Sequence, residues 1–138
     1  MNYIAESIFV GLYSCIIFLL VSQFITNYMW VLFCTGFLKH LSGYLFQIHT
    51  YYCNYGSACS KHQKQKEKVK YDARIPTIQL LIECVLEGFG YILLGSLFIL
   101  FIKNNLFSNF CIGAFMHILA EILGIHRYFC ETHCFAMR

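Results

Sequence analysis

The chain has 138 residues, 59% of them hydrophobic and only 12% charged, with a net charge of +3 and a mean hydropathy of +0.60. A soluble domain needs about 25% charged residues to solvate its surface. A soluble fold, a disordered chain, a secreted cysteine-stapled scaffold and a nucleic-acid-binding domain are therefore all excluded, which leaves a small protein that crosses the bilayer several times.

No formal charge occurs from Ser7 to Leu38, a run of 32 residues. One crossing helix needs roughly 20 residues, and Thr26, Asn27 and Tyr28 offer a turn near the middle of the run. The run predicts a first hairpin within residues 1–53, with spans at about 7–25 and 28–50. Residues 54–76 form a basic loop carrying Lys61, Lys64, Lys66, Lys68, Lys70 and Arg74, which are six of the ten Lys and Arg residues. Pro76 suits the first turn of the next helix, where its missing N–H costs nothing. A second hairpin within 77–138 has spans at about 77–102 and 106–128, joined by a turn at Lys103, Asn104 and Asn105. The positive-inside tendency then puts the loop and both termini on the cytoplasmic side, with the lysines facing anionic headgroups. The first six residues carry Glu6 but no Lys or Arg, so the first helix reads as an uncleaved anchor.

A repeat at an offset of 77 residues joins the hairpins. Phe33, Cys34, Gly36, His40, Ile48, His49, Tyr51 and Cys53 recur as Phe110, Cys111, Gly113, His117, Ile125, His126, Tyr128 and Cys130. Glu6/Glu83, Gly11/Gly88 and Asn27/Asn104 agree at the same offset. The expected fold is thus all-α, a polytopic membrane four-helix bundle of two tandem parallel helical hairpins, related by a pseudo-two-fold axis along the membrane normal.

That symmetry selects the candidate sites. His49 and Cys53 lie four residues apart on one helix face, as do His126 and Cys130. Convergence of the two faces would give a tetrahedral zinc set, with Cys59, His133 and Cys134 close in sequence. The commoner reading is interfacial histidines and packed cysteines. His40 and His117 could grip a haem iron axially. Nine residues separate the two histidines of each helix, however, which puts them on opposite faces of a straight helix. Packing of His40 and His117 beside Gly36, Gly43, Gly113 and Gly124 is the preferred account. Lys39, Glu83, Glu87 and Glu121 are expected to form an intramembrane polar network, structural or lining an ion route. The eight cysteines do not read as a disulfide framework; free thiols or metal binding suit a cytoplasmic face.

No phosphate-binding glycine loop, zinc-protease motif, nucleophile elbow or haem-attachment pattern is present. The pattern leans away from an enzyme and demands no cofactor, zinc and haem being the two it could accept. The leading function is a non-catalytic scaffold or assembly role, with the lipid bilayer, further copies or other membrane proteins as partners. A redox or metal-binding protein and a small transporter or ion-conducting protein are the alternatives.

Overall fold

The computed structural model describes residues 2–62, 69–71 and 77–136. Their elements are α1 (Tyr3–Val21), α2 (Tyr28–Leu45), α3 (Ile48–Tyr55), α4 (Ser57–His62), β1 (Val69–Tyr71), α5 (Thr77–Phe98), α6 (Asn105–Ile122), α7 (Ile125–His133) and β2 (Cys134–Ala136). The fold is almost wholly helical. The short strands pair antiparallel, with Lys70 opposite Phe135. Lys64, Lys66, Lys68, Arg74 and Pro76, part of the expected basic loop, lie outside the described residues.

Asparagine starts three of the long helices. Asn2, Asn27 and Asn104 each turn a side-chain oxygen onto backbone N–H groups of the first turn, satisfying donors that have no partner inside the helix. Two expected spans end early. The continuous helices foreseen at 28–50 and 106–128 stop at Leu45 and Ile122. Gln47 (φ 58°) and Gly124 (φ 74°) then adopt left-handed backbone, and the chain turns into the short helices α3 and α7.

The radial distribution of residues is inverted relative to a soluble bundle. The face of α1 turned to its neighbours carries Glu6, Ser7, Gly11 and Ser14, while Ile4, Ile8, Leu12, Ile16 and Leu20 point outward. Glu6 is 2% exposed and Leu12 is 54% exposed. In α5, Cys84, Gly88 and Tyr91 are buried, whereas Leu86, Phe89, Leu93 and Leu97 are exposed. Water would penalise such a surface; hydrocarbon would not. Three helices, α1, α5 and α6, are long and apolar enough to cross a membrane. The fourth expected span, α2, has the same 18-residue length as α6 but carries Lys39 and His40.

The most extensive packing joins α1 to α6 and α2 to α5; contacts within each expected hairpin are fewer. Small residues make this approach possible. A Cβ at Gly113 would lie 3.1 Å from the Val10 carbonyl oxygen and overlap the Ser14 side chain. A Cβ at Gly36 would lie 2.7 Å from the Glu87 carbonyl oxygen and meet Tyr91. Between the same helices, the Ser14 and Tyr91 hydroxyls sit 2.5 Å apart in the core.

Candidate functional site

Polar side chains gather where α1 and α5 begin and where α2 and α6 end. Glu6 enters from the first turn of α1, and its Oε1 accepts hydrogen bonds from the Ser57 backbone N–H (2.8 Å) and hydroxyl (2.7 Å). Its Oε2 lies 3.3 Å from His117 Nε2. The His117 ring is stacked against His126, with centroids 4.4 Å apart, and the Tyr52 ring touches both. His126 Nδ1 in turn lies 3.3 Å from Glu121 Oε2.

A second cluster involves Glu83 and His40, each 77 positions from its counterpart. His40 faces Glu83 Oε2 through Nε2 (3.2 Å) and Glu87 Oε2 through Nδ1 (2.7 Å). Two carboxylates can only accept, so both contacts are satisfied when both ring nitrogens carry protons. Lys39 forms an ion pair with Glu87 and lies over the Tyr91 ring. With Glu83, Glu87, His40 and Lys39 all ionised, the charges cancel. Glu83 Oε1 also meets His133 Nε2 at 3.1 Å and accepts from Gln79 at 3.3 Å.

The left-handed residues explain why the histidines meet. On straight helices, His40 and His49 would face opposite ways, as would His117 and His126. After the chain bends at Gln47, the His49 ring returns to within 5.0 Å of His40, and Gly43 leaves room for it. Gly124 brings His126 back onto His117 in the same manner. The opposite-faces expectation is therefore corrected: it assumed an unbroken helix.

Burial, followed by the neighbouring His40 charge, holds the His49 imidazole well below its ordinary range, at about 3. Burial also lowers His126, partly offset by Glu121. Both rings are therefore neutral near pH 7.

The four acids and bases expected to form one network divide between the clusters. Lys39, Glu83 and Glu87 gather around His40, whereas Glu121 pairs with His126. The partner of His117 is Glu6, not Glu121 one helical turn away. Glu6 was legible only as the repeat partner of Glu83; Ser57, Gln79 and His133 carried no comparable signal. For a haem between His40 and His117, the relevant finding is that carboxylates engage both nitrogens of His40.

Cysteines lie beside the clusters. Cys53 is bonded to Cys134 and Cys59 to Cys130, each bond joining the first half of the chain to the second. This corrects the expectation of free thiols at these positions: the bend into α3 and α7 brings the cysteines of both halves together. Cys15, Cys34, Cys84 and Cys111 are free. In the expected zinc set of His49, Cys53, His126 and Cys130, both sulfurs are thus committed to disulfides. Among the described residues, the ligand atoms that converge instead are the sulfurs of Cys59, Cys130 and Cys134, all within 4.8 Å of one another.

No family model matches the chain, and no curated protein or solved structure is significantly similar to it.

Proposed function

We propose that the protein is a multi-pass membrane scaffold, a bundle of two duplicated hairpins whose buried Glu–His pairs lock the halves together. The observation that carries this reading is the reciprocal pairing: Glu6 of the first half meets His117 of the second, and Glu83 of the second meets His40 of the first. Duplication draws further support from the boundaries of α2 and α6, Tyr28–Leu45 and Asn105–Ile122, which differ by 77 at both ends. The buried positions Val31, Leu32, Thr35 and Gly36 likewise match Ser108, Asn109, Ile112 and Gly113.

In this reading α2 is the fourth span. Its charged groups face protein rather than lipid, since Lys39 and His40 both bind carboxylates of α5. Ionisable residues at such depths are tolerated in this way. The charge bias assigns the basic loop and both termini to the cytoplasmic side. The bilayer is the constant partner, and the outward Leu, Ile and Phe faces also suit self-association.

A scaffold is favoured over an ion-conducting protein by where the polar network ends. From Glu83 it passes through His40, Glu87 and Lys39 towards Tyr91 and Ser14. Beyond them the core is built on Ile17, Phe18, Val21, Val31, Leu32, Leu94 and Ile112. Asn109 there spends its amide on the Asn105 carbonyl of its own helix. A network that enters from one end and meets an apolar core supplies strength rather than a path.

His117→Asn is expected to lower detergent-solubilised stability by about 3–5 kcal/mol, because it leaves the buried Glu6 carboxylate short of its partner. A haem absorption band lost with that variant, or proteoliposome ion flux lost with Glu87→Gln, would contradict the scaffold reading.

A further inference from the structure

We infer that the reduced protein binds one zinc ion through the thiolates of Cys53, Cys59, Cys130 and Cys134. These four residues bring their sulfurs into one cluster. Cys59, Cys130 and Cys134 lie within 4.8 Å of one another, and Cys53 is bonded to Cys134. The one separation printed between the two disulfides, Cys59 Sγ to Cys134 Sγ, is 3.8 Å. A tetrahedral zinc site with Zn–S bonds of about 2.3 Å has an S···S edge of about 3.8 Å. One edge of a tetrathiolate site is therefore already at its length while the sulfurs are oxidised.

The surroundings suit a closed structural site. Cys53 and Cys59 are 0% and 1% exposed, and Tyr52, Ala58 and Phe129 pack around the cluster. Each half contributes two ligands, so the metal would join α3 and α4 to α7 and β2, as the disulfides do. The ligand set differs from the His/Cys set read from sequence because His49 and His126 turn back to stack on His40 and His117.

Compartment decides which form exists. The basic loop assigns this end of the bundle to the cytoplasm, where thiols stay reduced. Each disulfide takes two electrons and two protons from a thiol reductant, whose own thiols become a disulfide. The four resulting cysteine thiols then bind Zn²⁺ as thiolates, with release of four protons. Zinc in the reduced protein and two disulfides in the oxidised one thus act as alternative links at one place.

The test is elemental analysis of the full chain, purified in detergent with a non-thiol reductant, loaded with zinc and desalted. One zinc per chain is expected after reduction and none in the fully oxidised protein. Cobalt substitution of the unaltered chain should give thiolate-to-cobalt charge transfer at the intensity of four Co–S bonds. Cys59→Ser should lower that intensity, whereas His49→Gln combined with His126→Gln should leave it unchanged. A reduced chain that carries no zinc, a cobalt spectrum with two thiolates, or metal lost only with the histidine variants would overturn the assignment.

Discussion

Each Glu–His contact couples two buried groups that are individually expensive to desolvate. Glu6 illustrates the arrangement: Ser57 and His117 occupy its two oxygens, so the carboxylate is accommodated without water. The stacked histidines of α3 and α7 make stability depend on pH. His49 faces His40 and Phe129 and lies near Glu83, Glu87 and Lys39, and its folded-state pKa of about 3 is below the ordinary value of 6.5. His126, against His117, Tyr52 and Glu121, is shifted in the same direction. As pH falls below about 6.5, the unfolded chain takes up protons that the folded chain refuses, so stability decreases. Thermal unfolding in detergent should show a lower Tm at pH 5 than at pH 7.5, and His49→Gln should flatten that slope. The repeat made Glu6 and Glu83 equivalent on the page, but residue spacing gave no means of choosing Glu6 over Glu121 as the partner of His117. That choice is made by helix packing between the halves.

Among the elements, the long helices were legible because alternation of small or polar with large apolar residues marks two faces, and because asparagine caps announce their starts. The breaks were less so. Gly124 is a recognisable left-handed residue but fitted equally well into a packing stripe beside Gly113 and His117. Gln47 offers no such cue, since a glutamine adopts φ 58° only when the surrounding structure enforces it. A Gln47→Gly substitution should consequently stabilise the bundle by about 1 kcal/mol, and Gly124→Ala should destabilise it by a similar amount. Denaturation of both variants in the same detergent checks the pair, and equal effects of one sign would contradict the proposed bend. The disulfides were invisible for the same reason: until α3 and α7 turn back, nothing in the spacing of Cys53, Cys59, Cys130 and Cys134 brings them together.

For the whole molecule, the decisive property is the reversal of inside and outside. Serine, glycine, histidine and glutamate pack between helices while leucine, isoleucine and phenylalanine face outward, an arrangement that hydrocarbon stabilises and water does not. Composition alone indicated a membrane protein, and the paired, reciprocal contacts at an offset of 77 residues give that protein its proposed architecture. If two like-oriented hairpins compose it, every connection has a definite side. Single reporter tags at the N-terminus, within residues 63–68, at the 103–105 turn and at the C-terminus, probed in sealed membranes, test this most directly. The account predicts that the two termini and the basic segment respond together from the cytoplasmic side, with the 103–105 turn on the other. A basic segment and a C-terminus found on opposite sides of the bilayer would contradict it.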